Sequence, residues 1–126
     1  MHLAILGASG GCGRSLVAQA VERGHGVAAV ARASSVLDAP AAVRVERGDL
    51  TDPSFLARAI EASDVVVSAL GIKLNSIAPW SRSEVLDFLS RSTPALVEAM
   101  KAAGVHRVIA ISAGGVGDSA TRVPMV

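Results

Sequence analysis

The chain has 126 residues, 51% of them hydrophobic, and a formal net charge of +1, so it is long enough for one folded domain and too apolar for a disordered one. The near-neutral charge gives no reason to expect a nucleic acid partner, and no stretch approaches the roughly 20 apolar residues of a membrane span. Cys12 is the single cysteine, which excludes an internal disulfide. Met1 leads directly into an apolar run that leaves no room for a signal peptide, so we expect a cytoplasmic protein.

The first part of the chain predicts a strand, a turn, a helix and a second strand. Residues 2–6 form a short apolar run without alternation, which is typical of a buried strand. The turn at 7–13 is rich in glycine, and residues 14–23 carry one apolar helical stripe. Residues 26–31 predict a second buried strand. Only 2% of the residues are aromatic and Tyr is absent, so the core must consist mainly of Val, Ile, Leu and Ala.

The middle of the chain repeats this alternation. Residues 43–47 alternate apolar and charged side chains, which predicts a strand near the edge of the sheet. Thr51 or Asp52 is expected to cap a helix that begins at Pro53. Residues 64–70 contain three consecutive valines and predict the fourth strand.

The last part predicts one interrupted helix and a fifth strand. Pro94 is expected to break or kink the helical pattern into segments near 82–91 and 94–103. Residues 106–112 predict the fifth strand. Strands that alternate with helices indicate an α/β fold, a Rossmann-like three-layer αβα domain with a parallel sheet in the order 3-2-1-4-5. Ligands bind such sheets at the switch point, here between strands 1 and 4.

The glycine-rich turn after strand 1 predicts a phosphate-binding loop. Gly7 permits the tight turn, Gly10 lets backbone amides approach a pyrophosphate, and Gly13 lets the helix pack closely on the strand. The alternative is a merely flexible turn, but its place between a strand and a helix favours a dinucleotide. The residues predicted to hold the cofactor in this loop are Gly7, Ser9, Gly10, Gly11, Cys12 and Gly13.

Arg32 at the end of strand 2 predicts NADP(H) rather than NAD(H). An acidic residue there would accept a hydrogen bond from the free 2′-hydroxyl of NAD, whereas arginine suits the 2′-phosphate of NADP. Ser34 and Ser35 follow closely and could donate to the same phosphate. The alternative is a solvated surface arginine.

The ends of strands 3, 4 and 5 supply further candidates. Asp49 and the Leu50 backbone are expected beside the adenine, with an ordinary helix-capping carboxylate as the alternative for Asp49. The predicted contacts to the nicotinamide ribose come from strand 4 and are Ala69, Leu70 and Gly71. Ser112 ends strand 5 and is the catalytic candidate, with a serine that only satisfies backbone groups as the alternative. Cys12 has no His partner nearby in sequence, and the three histidines lack metal-ligand spacing, so no metal site is predicted.

Taken together, these residues resemble the atypical short-chain dehydrogenase/reductase group, and within it the NmrA-like and flavin reductase (biliverdin-IXβ reductase) branch. The motifs that carry the resemblance span most of the chain and lie at residues 7–13, 30–32, 48–50, 68–71 and 104–113. The resemblance implies NADP at the glycine loop, with Arg32 at the 2′-phosphate, and hydride transfer from NADPH to a flavin-like or other small conjugated acceptor. It does not require the tyrosine proton relay of typical short-chain dehydrogenases, which a chain without tyrosine cannot form.

The chain departs from this family pattern in two ways. Val36 stands about where a second basic residue is common, and the chain stops just after strand 5, without the segments that cover the substrate in the family. Val108, Ile109 and Ile111 would then lie on a poorly covered part of the sheet, which predicts self-association through the strand 5 side. Two functions remain open, an NADPH-dependent reductase and a non-catalytic NADP(H)-binding sensor or partner-binding module.

Overall fold

The computed structural model describes residues 1–70 and 79–111, with only the backbone for residues 79–86. Five strands and three helices alternate along this part of the chain. They are β1 (His2–Leu6), α1 (Gly11–Glu22), β2 (Gly26–Arg32), β3 (Arg44–Gly48), α2 (Pro53–Ala59), β4 (Val65–Ser68), α3 (Pro79–Ala103) and β5 (Val108–Ala110). No helix among them combines the length and apolarity needed to cross a membrane.

The sheet confirms the predicted topology. All four pairings are parallel, and the strands lie in the order β3-β2-β1-β4-β5. Leu6 at the end of β1 is in register with Val30 on one side and Ser68 on the other. The carboxyl ends of the strands therefore meet at one edge, and chain order reverses between β1 and β4 at the sheet centre, as predicted.

Apolar side chains cover both faces of the sheet because successive strand residues point to opposite sides. Ile5 packs in the cluster that contains Val17 of α1. Leu6 packs in the other cluster, with Leu56 of α2 and Ala99 of α3. Both faces of the central strand are therefore dry, which explains why β1 is apolar without alternation.

Two helices differ from their predicted bounds, α3 at Pro94 and α1 at its first residue. The helix from Pro79 to Ala103 runs through Pro94 without interruption, so the prediction of two segments was wrong. Proline removes the amide that would bind the carbonyl of Ser90, but both residues are exposed, so water can reach that carbonyl. The opposite face is anchored by the buried side chains of Ala95 and Leu96.

The start of α1 also differs, because this helix begins at Gly11 and not near Arg14 as expected. The predicted turn is therefore shorter, and two of its glycines, Gly11 and Gly13, belong to the first turn of the helix. This places the backbone amides of the glycine motif at a helix N-terminus, where amides lack partners within the helix.

The two edge strands differ in character. β3 presents Arg44, Glu46 and Arg47, charges of the kind that discourage pairing with another strand. β5 instead has half-exposed apolar side chains at Val108, Ile109 and Ile111 just beyond it. The expected apolar strip is thus present at the β5 edge.

We propose that a second copy of the chain docks on this strip, with the two β5 edges side by side. Threonine at both Ile109 and Ile111 keeps β-branching but removes apolar surface, and we expect it to shift the protein toward monomer. Light scattering across micromolar concentrations measures this shift. Val36→Thr is the matched control, because Val36 is 82% exposed in the loop after β2, away from β5. A wild-type chain that stays monomeric over this range would contradict the proposal.

Candidate functional site

The turn after β1 holds Gly7 in a conformation that side chains resist. Its φ is +75°, in the left-handed region, and a Cβ there would lie 2.6 Å from the carbonyl oxygen of Ala69. The Gly7 amide donates to the carbonyl of Val30 at 3.1 Å. The loop is therefore tied to the ends of β2 and β4, the two neighbours of β1.

Gly13 brings helix α1 down onto this turn. A Cβ at Gly13 would collide with the carbonyl of Gly7, and a third backbone atom, Cα of Ala8, would lie 2.8 Å away. Gly13 is buried, and the Gly10 amide closes the turn by donating to the Gly7 carbonyl at 3.1 Å. The predicted role of Gly13 in close helix–strand packing follows from these contacts.

Gly10 and Gly11 are glycines for which the protein's own packing gives no reason. Among residues 1–70 and 79–111, the nearest atom to a Cβ at Gly10 is the Gly7 carbonyl oxygen at an ordinary 3.5 Å, and no atom lies within 4 Å of a Cβ at Gly11. Gly10 has an extended conformation, with φ −76° and ψ 167°, that any residue adopts. The space that a side chain would fill is therefore open, which fits a phosphate group lying against the backbone.

The helix end that faces this space is uncapped. Gly10 occupies the N-cap position and offers no side-chain cap, and the first turn contains no acidic residue. The amides of Gly11, Cys12 and Gly13 have no partner within the helix because of their position. Together with the helix dipole they form a site that favours an anion. Ser9 is half-buried in the loop and Cys12 is exposed.

Arg32 lies at the same edge of the sheet. It is the last residue of β2, is paired in register with Gly48, and is exposed. No ion pair involves Arg32 among residues 1–70 and 79–111. The Ser35 amide donates to the Arg32 carbonyl at 3.0 Å, which folds the chain back so that Ser34 and Ser35 stay close to Arg32.

Asp49 follows the end of β3 and does not cap α2. Asp52 is the cap, because its side chain accepts a hydrogen bond from the Ser54 amide at 2.9 Å. Asp49 Oδ1 instead accepts two bonds from Thr51, from the amide at 2.8 Å and from Oγ1 at 2.6 Å. These two bonds, helped by the positive charge of Arg91, lower the pKa of Asp49 below its usual value.

Leu50 and Leu70, the two leucines predicted to contact the cofactor, follow the ends of β3 and β4. Leu50 is 2% exposed, so its side chain belongs to the core on the α2 and α3 side and only its backbone can face a ligand. The Ala69 amide donates to the Leu6 carbonyl at 2.9 Å, and the Ala69 carbonyl lies against Gly7. Leu70 is half-buried against the same core as Leu50.

The predicted residues thus fall at the carboxyl ends of β1, β2, β3 and β4, at one edge of the sheet. Gly71 and Ser112, two further predicted site residues, lie outside the described residues. Two residues that the sequence analysis did not single out for the site, Thr51 and Arg91, act on Asp49. A threonine two residues after an aspartate is a recognisable turn signal, whereas Arg91 has no local signal. No group of three potential metal ligands occurs within residues 1–70 and 79–111.

Comparison with known proteins gives the same picture. A curated relative, 3-diazoavenalumate denitrifying reductase from Streptomyces sp., is 34% identical over 116 residues, which is 89% of this chain and 38% of the relative. A short-chain dehydrogenase/reductase superfamily protein from Agrobacterium tumefaciens, solved with bound NAD, is 26% identical with a TM-score of 0.74, over 92% of this chain and 34% of that one.

A third protein shows the fold alone. UDP-glucose 4-epimerase from Bifidobacterium longum, in complex with NAD+ and UDP, has a TM-score of 0.78 at 22% identity, over 92% of this chain and 38% of that one. This chain therefore spans well under half the length of these proteins. Residues 7–125 match the family described as NAD(P)H-binding. Since this match includes nearly the whole chain, the protein belongs to the NAD(P)H-binding family of Rossmann-like domains.

Proposed function

We propose that the chain binds NADP(H) at the β1–α1 loop and acts as a reductase. It would pass hydride from NADPH to a flavin-like or other small conjugated acceptor. The observation that carries the proposal is the open glycine cradle. Within the described part of the chain, Gly10 and Gly11 have no steric reason to be glycine, and they border the uncapped N-terminus of α1 at the switch point of the sheet.

Different residues of the site would contact different parts of the cofactor. The amides of Gly11, Cys12 and Gly13 would hold the pyrophosphate, with Ser9 as a further donor. Arg32, helped by Ser34 and Ser35, would bind the 2′-phosphate, because an exposed guanidinium without an ion pair among the described residues can contact two phosphate oxygens.

The remaining contacts would lie on either side of these. Asp49 and the Leu50 backbone would face the adenine, and Ala69, Leu70 and Gly71 would face the nicotinamide ribose. This assignment follows from the places of Asp49, Leu50, Ala69 and Leu70 just after β3 and β4, and Gly71 is the next residue in sequence. Since each group comes from a different strand, the parallel sheet sets the spacing between the cofactor's parts.

The proposal of a reductase rests on the family and on the Streptomyces relative, which is a reductase. When bound, NADPH supplies a hydride to the acceptor. The chain has no tyrosine, so its own contribution would be to position the two reactants, with Ser112 at the edge of the reaction centre. We further propose that it belongs to the NmrA-like and flavin reductase branch, which works without a tyrosine relay.

A second candidate is a non-catalytic NADP(H)-binding sensor or partner-binding module. It uses the same described cofactor site, at the ends of β1, β2 and β3, and needs no residue at a reaction centre. Both candidates share the cofactor site and differ only in whether turnover follows.

Alanine at Gly10 should weaken cofactor binding, whereas alanine at Gly13 should weaken the fold. Gly10→Ala should change the free energy of unfolding by less than about 1 kcal/mol, since the backbone there suits alanine. It should weaken NADP(H) binding at least about tenfold, because its Cβ displaces a phosphate held by charge-assisted bonds. Gly13→Ala should cost about 1–3 kcal/mol of stability through its collision with Gly7. Urea unfolding and calorimetric titration measure both effects, and unchanged NADP(H) affinity in folded Gly10→Ala would contradict the proposal.

Removing the Arg32 charge should change cofactor preference. Arg32→Gln should weaken NADP(H) binding by about ten- to a hundredfold, the worth of one or two bonds to a charged phosphate. It should leave NAD(H) binding unchanged, since NAD has no 2′-phosphate. Arg23→Gln at the far end of α1 is the matched control. Calorimetric titration with both cofactors decides, and tighter binding of NAD(H) to the wild type would refute NADP(H) preference.

Turnover separates the two candidate functions. A reductase should consume NADPH, followed by absorbance at about 340 nm, when FMN or a quinone is supplied as acceptor. Arg32→Gln should lower that rate at subsaturating NADPH. Tight NADPH binding without turnover across an acceptor panel would contradict the reductase and favour the sensor.

A further inference from the structure

An aromatic ring covers Gly48, the last residue of β3. Among the described residues, the atoms nearest to a Cβ at Gly48 are three ring carbons of Phe55, at 2.6, 2.7 and 2.8 Å. Phe55 lies in the first turn of α2, is half-buried, and packs against the apolar cluster on the α2 and α3 side of the sheet. The ring therefore occupies the space that a side chain at Gly48 would take.

Arg32 leaves the sheet on the same face as this ring. Val30, two residues earlier on β2, is buried in the cluster against which Phe55 packs, and residues two apart on a strand point to the same face. Arg32 is also the partner of Gly48 in the ladder between β2 and β3, and neighbouring strands lie about 5 Å apart. The Phe55 ring, seated where Gly48 has no side chain, therefore lies beside the base of the Arg32 side chain.

A phenyl ring suits an arginine neighbour in two ways. Its apolar body can pack against the methylene stem, and the negative face of the ring attracts the guanidinium. Arg32 is exposed, and in the described ranges no carboxylate forms an ion pair with it. An arginine without a partner loses rotamer freedom when it binds a phosphate, and a side chain that is already held loses less.

We propose that Phe55 is a positioning residue for the 2′-phosphate of NADP(H). Its ring, seated on Gly48, holds the Arg32 side chain at the carboxyl edge of the sheet, so that the guanidinium is in place before the phosphate arrives. This inference rests on the proposed function for the identity of the ligand, whereas the contact between ring and guanidinium belongs to the free protein. A ring that only fills the end of β3 would instead serve NAD(H) and NADP(H) equally.

The first test compares the dissociation constants of NADP and NAD by calorimetric titration. Phe55→Leu keeps an apolar side chain but removes the ring face. It should weaken NADP binding about two- to fivefold, the worth of a cation–π contact at an exposed site, and leave NAD binding unchanged. Phe88→Leu is the matched control, because Phe88 is the chain's other phenylalanine and is partly buried against the same cluster. It should leave the ratio of the two constants as in the wild type.

Gly48→Ala tests the seat of the ring. The added Cβ would meet only ring carbons at close range, so the ring has to move to admit it. The substitution should therefore lower the preference for NADP about as much as Phe55→Leu does. Combining the two should bring no further loss, because each removes the same contact. Full additivity of the two losses would contradict a shared cause.

The free protein supplies a readout that needs no cofactor. An aromatic ring beside the guanidinium should displace the NMR resonance of the Arg32 Nε–H, and Phe55→Leu, but not Phe88→Leu, should remove that displacement. An Nε–H resonance that Phe55→Leu leaves unmoved, or an unchanged ratio of NADP to NAD affinity in folded Phe55→Leu, would overturn this inference alone. A wild type that binds neither cofactor would overturn the proposed function, and the phosphate role of Phe55 with it.

Discussion

The contact between Gly13 and the Gly7 carbonyl is the constraint on which the rest of the site depends. No side chain fits between these two backbones, so helix α1 starts directly on the end of β1. Because Gly7 is also tied to Val30 and packed against Ala69, the same turn fixes the loop to both neighbouring strands. The free amides of α1 are thereby aimed at the centre of the carboxyl edge, where a parallel sheet reverses its order.

The charged groups around this turn match the parts of the proposed ligand. The uncapped helix end and Arg32 are positive where phosphates would lie, and Asp49 is negative where an amine would lie. Each of these groups is positioned by a local feature, namely a glycine contact, a strand end or a turn. The sheet then sets the spacing between them. This division explains how short strands can organise a long dinucleotide.

Most of the fold was predictable because its signals are local. Buried strands, the glycine-rich turn after β1 and the Asp52 cap all depend on neighbouring residues. Pro94 was misjudged because burial of the opposite helix face, a tertiary effect, outweighs the missing amide bond. The influence of the Arg91 charge on the pKa of Asp49 could not be predicted from sequence, since it depends on the packing of α3 against α2. The site residues Gly71 and Ser112 stay predictions.

The central claim is that the pyrophosphate of NADP(H) lies against the amides at the start of α1. Titrating the isotopically labelled protein with NADP while following backbone amide chemical shifts tests this claim directly. The account predicts saturable shifts that are largest at Gly10, Gly11, Cys12 and Gly13, with smaller ones at Arg32 and Leu50. Saturable NADP binding that leaves the glycine-loop amides unshifted, or no binding at millimolar cofactor, would contradict it.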